Sequence, residues 1–227
     1  MNSKYVDEKY YEVATPGSFA ERLLVAARDR IYAKFLAVSA PHPSDKILDV
    51  GVSDVITNGA NVLERKYPHR SMITACGLGA AADFQAEFPD VAYVRIEPHR
   101  PLPFDDGHFE IATANAVLEH IGSREGQKEF LRELSRVARK VFIVVPNRYF
   151  PVEHHTGIPL LHFTDGTFSA ACRWSGKEKW TDERNLILMN KSYLLDSSPA
   201  DVKSEVGYTG IRLGPFSSNL FLYMERG

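Results

Sequence analysis

Five apolar runs of strand length alternate with helical patterns between residues 46 and 146, and this alternation restricts the chain to a parallel sheet with crossover helices. The runs are "KILDV", "SMITAC", "VAYVRI", "FEIATA" and "KVFIVVP"; the last is apolar throughout, as a strand covered on both faces should be. Ahead of them, Ser18 and Glu21 have the spacing of a capping box. Phe19, Leu23, Ala27, Ile31 and Phe35 then recur every fourth residue, which predicts an amphipathic helix. Further helices are expected near Asn61 to Tyr67, over "AADFQAEF", and from Ser123 to Ala138, where Phe130, Leu131, Leu134 and Val137 share a face.

From Asn147 to Leu188 the periodicity disappears, and aromatics, histidines and turn residues crowd together. A stretch of that kind inside a compact domain is usually functional or flexible. Two later runs, "DVKSEVG" and "SNLFLYMER", read as strands that pair antiparallel at the sheet edge. The expected architecture is α/β: a Rossmann-like, seven-stranded, mostly parallel sheet with helices on both faces and the last strand antiparallel. It forms a single domain over 1–227, with a helical segment (1–40), a sheet core (41–146), an irregular insertion (147–190) and C-terminal edge strands (191–227).

Charge narrows the class of partner. With 27 basic and 29 acidic side chains the net charge is -2, which gives no general attraction to phosphate backbones or anionic lipid, so nucleic acid is not the expected partner. The two cysteines, Cys76 and Cys172, lie far apart and match no metal spacing, as reduced thiols of a cytoplasmic protein would. No uninterrupted apolar run reaches the ~18 residues that a membrane span needs. A cytoplasmic location follows as the expectation, with oligomeric state left open.

The loop after the first strand carries the chemical signal. "ILDVG" supplies Asp49 and Gly51, but the later glycines of a G-x-G-x-x-G loop are replaced by Ser53 and Val55. A pyrophosphate needs those glycines, and Asp54 would repel it. A cationic cofactor without phosphate, S-adenosylmethionine, suits the loop better. A nicotinamide-linked oxidoreductase would need a ribose-binding acid about 20 residues farther on, where the chain offers Cys76.

"ILDVG" and "ITACG", then "LPFDDGHFEIATANAVLEHIG" and "RVARKVFIVVPNRYFPVEHHTGIPLLHF", resemble the class I S-adenosylmethionine-dependent methyltransferases of the small-molecule, type 11 kind. The resemblance runs from about Tyr10 onward, and it implies that the N-terminal helix (1–40) is a lid over the cofactor, that 41–146 holds the cofactor and that 147–190 caps the substrate. It also implies that the cofactor is held by Asp49, Gly51, Val52, Cys76, Gly77, Glu97 and Asn115. Asp49 would orient the amino group, the strand-two end would meet the ribose, Glu97 would lie near the adenine and Asn115 near the sulfonium. The family's ribose-gripping acid is replaced by Cys76 and Gly77, a departure that leaves open a weakened or non-catalytic module acting as a partner subunit.

His120 in "LEH" would support the loop after strand four. Tyr149, Phe150 and Glu153 are candidates for contact with a small-molecule, lipid-like or sugar-like acceptor, and His154 or His155 for a base. Two adjacent histidines cannot both face inward. A metal would need a third ligand such as His162, in no motif of known spacing, so none is expected.

Overall fold

The computed structural model describes residues 19–57 and 59–227; Ser18 of the expected capping box, and the tyrosines before it, lie outside them. Helix α1 (Phe19–Ser39) precedes strand β1 (Ile47–Val50), α2 (Val62–Lys66), β2 (Ile73–Gly77), α3 (Ala82–Glu87), β3 (Ala92–Arg95) and β4 (Phe109–Asn115). The chain continues with a 3₁₀ turn (Leu118–His120), α4 (Arg124–Val137), β5 (Ala138–Pro146), α5 (Asp165–Ser175), α6 (Lys191–Ser197), β6 (Lys203–Leu213) and β7 (Phe216–Glu225). The strands form one seven-stranded sheet in the order β3-β2-β1-β4-β5-β7-β6. β1 to β5 pair in parallel, and β7 runs antiparallel to both β5 and β6. The expected α/β sheet is therefore present, with the antiparallel strand lying between β5 and β6.

Strand alternation builds two cores, because successive side chains point to opposite faces. Ile47, Ile73, Ala75, Ile111, Phe142 and Val144 pack against Ile31 and Phe35 of α1, Leu63 of α2 and Phe84 of α3. Leu48, Val50, Ala112, Ala114, Val141, Ile143 and Val145 pack against Leu131, Leu134 and Val137 of α4 and Leu194 of α6. Helices thus cover both faces, as expected. Ser123 caps α4 by accepting a hydrogen bond from the Gly126 amide at 3.0 Å.

The aperiodic stretch after β5 is ordered by a small core of its own. Ile158, Phe168, Cys172, Trp180 and Leu186 are buried together, with α5 contributing Phe168 and Cys172. No helix among the described residues is long and apolar enough to cross a membrane.

On α1 the predicted stripe is only partly buried: Ala27, Ile31 and Phe35 reach the core, whereas Leu23 is exposed. The Phe35 ring meets Phe142 edge-on at 5.6 Å. The helix expected as a lid is packed as a wall of the domain. Phe35→Ala is expected to cost about 3–5 kcal/mol in urea unfolding, whereas Leu23→Ala at the exposed end of the stripe should stay within about 0.5 kcal/mol.

Candidate cofactor cleft and its histidine-lined wall

The carboxyl ends of β1, β2, β3 and β4 open onto a cleft of about 640 Å³, lined by Gly51, Val52, Gly77, Glu97, Val117 and His120 among others. This volume falls in the range of small-molecule and cofactor sites. A second pocket, of about 140 Å³, lies between α1 and the sheet. Arg28, Asp49, Gly51, Val52, Thr113 and Asn115 line it, so the two cavities meet at Gly51 and Val52.

Gly51 is required where it stands. Its φ is +98°, and a Cβ there would come within 2.2 Å of the Val117 side chain. Both its amide and that of Val52 donate to the Cys76 carbonyl, at 2.8 and 3.1 Å, which folds the loop toward the end of β2. Farther along, Asn61 clasps Ser53 with two hydrogen bonds, receiving its amide at 2.9 Å and donating to its carbonyl at 2.8 Å. Asp54 is buried and accepts the Phe84 amide at 2.9 Å, at the start of α3. The acid that would repel a pyrophosphate is thus occupied in holding a helix end.

Asp49 points to the α1 face of the sheet. Burial raises its carboxyl to about 6, against the opposing effects of a hydrogen bond with Glu64 and the Arg28 charge. Glu64, on α2, is fully buried; that burial, and next the charge of Asp49, push it well above the ordinary range. No sequence signal marked Glu64, because the helix that carries it is five residues long.

The other expected cofactor residues separate into two groups. Gly77 and Glu97 line the large cleft, and Asn115 the pocket beneath α1. Cys76 is fully buried in the core on the α4 face, and burial pushes its thiol up to about 12; only its carbonyl takes part, as the acceptor for the glycine loop. Arg136 of α4 holds one wall, donating to Glu133 and Asp106 and to the carbonyls of Leu102 and Phe104. That clamp fixes the "LPFDD" turn against the helix.

The expected acceptor and base residues line neither of these cavities. Tyr149 is exposed and stacks edge-on with Phe163, while Phe150 is buried. His154 is exposed and His155 turns inward, so the adjacent pair divides as the chain geometry demands. Glu153, buried, accepts from the His155 ring nitrogen Nδ1 at 2.9 Å and from the Thr156 amide and hydroxyl at 2.6 and 2.7 Å. Burial alone would raise Glu153, but the hydrogen bonds from His155 and Thr156 hold it at about 2. His162 is bound instead to the Phe150 carbonyl at 2.8 Å.

His120, expected to support the loop after strand four, reaches instead to the segment before α6: its Nδ1 lies 2.7 Å from the Asn185 carbonyl. Beside it, Glu119 is buried, and that burial raises it to about 7. One nitrogen or oxygen each from Glu119, His120 and His155 lies within 4.8 Å of the others.

Two variants check this geometry. Gly51→Ala should destabilise the chain by about 1–3 kcal/mol, and adding Val117→Ala should recover the steric part while leaving the cost of positive φ. A buried carboxyl with a raised pKa contributes stability below its unfolded value that is lost as pH rises toward the folded value. Glu64→Gln should therefore raise the melting temperature more at pH 8 than at pH 5, by about 2–4 °C for each kcal/mol gained.

A family model described as "Methyltransferase domain" matches residues 60–144. No curated protein matches the chain significantly. Among solved structures, the chain is similar to magnesium protoporphyrin IX methyltransferase from Synechocystis, solved with bound S-adenosylhomocysteine (12% identity, 100% of this chain and 96% of that one covered, TM-score 0.60). It is also similar to the N-methyltransferase NodS from Bradyrhizobium japonicum, in complex with the same product (10% identity, 100% and 99% covered, TM-score 0.60). A third likeness is to a SAM-dependent methyltransferase from Aquifex aeolicus (13% identity, 99% and 98% covered, TM-score 0.55). The chain thus matches the methyltransferase family model over residues 60–144 and shares the fold of these solved methyltransferases.

Proposed function

We propose that the chain transfers a methyl group from S-adenosylmethionine to a small-molecule acceptor, with the donor spanning the junction of the two cavities at Gly51. The observation that carries this reading is the cleft of about 640 Å³ at the carboxyl ends of β1 to β4, which continues past a glycine that tolerates no side chain. Bound there, S-adenosylmethionine supplies an electrophilic methyl on a cationic sulfur. Gly77 and Glu97 would flank the adenosine; Asp49 and Asn115 would meet the methionine end, with Asp49 attracting its ammonium.

What remains for the protein is alignment and exclusion of water, worth up to ~7–11 kcal/mol when the reacting atoms are well oriented. The pocket beneath α1 is enclosed by Leu24, Ile31, Tyr32 and Phe35, and its size of about 140 Å³ suits a small acceptor group better than a polymer. The buried Cys76 leaves the ribose without its usual carboxylate, so hydroxyl contacts at that end fall to the backbone beyond Gly77 or to Glu97.

Calorimetric titration with S-adenosylhomocysteine should give micromolar binding. A silent titration would count against the reading. Asp49 is ionised above about 6, so affinity should fall as pH drops through that value, and Asp49→Asn should weaken binding about 10–100-fold and flatten the profile. With radiolabelled methyl donor, label should pass to small molecules in a cell extract; label found only in RNA or protein would refute the acceptor class.

A further inference from the structure

We propose that Glu119, His120 and His155 form a binding site for a divalent transition-metal cation of the zinc type, set in the wall of the cofactor cleft. Glu119 and His120 come from the 3₁₀ turn after β4, and His155 from the loop after β5. Their ligand atoms lie within 4.8 Å of one another. An equilateral arrangement at that limit puts each about 2.8 Å from the centre, so an inward shift of less than about 1 Å reaches the ~2.0–2.2 Å of zinc bonds to imidazole and carboxylate.

Each imidazole already has an oxygen acceptor behind its Nδ1. His120 sets its Nδ1 on the Asn185 carbonyl at 2.7 Å, and His155 sets its Nδ1 on the Glu153 carboxylate at 2.9 Å. An imidazole that donates from Nδ1 carries its lone pair on Nε2, so both rings are fixed in the tautomer that ligates through Nε2. A carboxylate or carbonyl behind each metal-binding histidine is the arrangement that orients the ring and raises its basicity. Glu153 is itself anchored by Thr156 at 2.6 and 2.7 Å. The Trp180 ring, 5.0 Å from His155 and 6.5 Å from His120, supplies an apolar side.

Glu119 is the independent pointer to a cation. It is 1% exposed, and neither carboxylate oxygen has a hydrogen-bond partner among the described residues. A buried carboxylate is normally paired, hydrogen-bonded or bound to metal. Two imidazoles with one carboxylate favour zinc over magnesium or calcium, which prefer all-oxygen sites. His155 would then act as a ligand and not as a base. Three protein ligands leave at least one position for water or for an acceptor oxygen, and only this last step rests on the methyl-transfer reading.

The test uses the chelator-treated 227-residue chain without methyl donor, so its outcome is separate from that of the S-adenosylhomocysteine titration. Zinc chloride titrated by calorimetry should bind one ion per chain with a Kd in the micromolar range or tighter. Glu119→Gln and His155→Asn should each weaken binding at least about 100-fold, and Glu153→Gln about 10–100-fold, with circular dichroism confirming the fold. No stoichiometric uptake by the unmutated chain, or a folded Glu119→Gln protein that binds as tightly, overturns the proposal. Cobalt(II) gives a check that needs no variant: intense visible absorption from a low-coordinate nitrogen and oxygen site supports it, and the weak spectrum of aqueous cobalt refutes it.

Discussion

One sheet serves two hydrophobic cores, and the strict alternation of side chains along β1, β4 and β5 determines where every polar group of the site can stand. Leu48 and Val50 face α4, so Asp49 between them must face α1; Ala112 and Ala114 likewise send Thr113 to the same side. The polar residues that meet beneath α1 are therefore one register-linked set, paired through Asp49 and Thr113 across neighbouring strands. A slip of one residue would bury Asp49 among leucines and open the cleft to Val50.

The loop after β1 shows how a departure from a glycine-rich pattern can be absorbed. Where a dinucleotide loop keeps glycines so that phosphate can approach amide groups, this one commits its amides and side chains to itself. Gly51 and Val52 bind the Cys76 carbonyl, Ser53 is held by Asn61, and Asp54 secures the start of α3. Few donors are left for an anion, and the carboxylate of Asp49, ionised above about 6, lines the pocket at the turn. This electrostatic setting favours a cation at the junction, in keeping with the sulfonium and ammonium of the proposed donor.

Most of the fold was legible because it rests on local periodicity. β1, β2, β4 and β5 are apolar runs that the two cores bury, whereas β3 stays half-exposed; α4 carries a helical stripe that the core buries, and α1 one that it buries only from Ala27 to Phe35. α5 was not legible, because Phe168 and Cys172 are buried by Ile158, Trp180 and Leu186, which arrive from separate turns of the chain. At the site, Gly51 and Gly77 could be placed from the strand ends, whereas the direction of Cys76 depends on the face assigned to β2. The division of His154 from His155 was foreseeable from chain geometry. The meeting of His155 with Glu119 and His120 was not, since it depends on how two loops from neighbouring strands fold over each other.

The order of the last three strands also has a consequence for synthesis. β7 follows β6 in the chain but lies between it and β5, pairing with β5 from Lys140 to Pro146 and with β6 from Lys203 to Leu213. As the polypeptide leaves the ribosome, β6 has no edge to join until β7 emerges, and the apolar edge of β5 stays open meanwhile. Closure of the sheet is thus the final event, and a nascent chain halted before Phe216 would expose its most aggregation-prone edge.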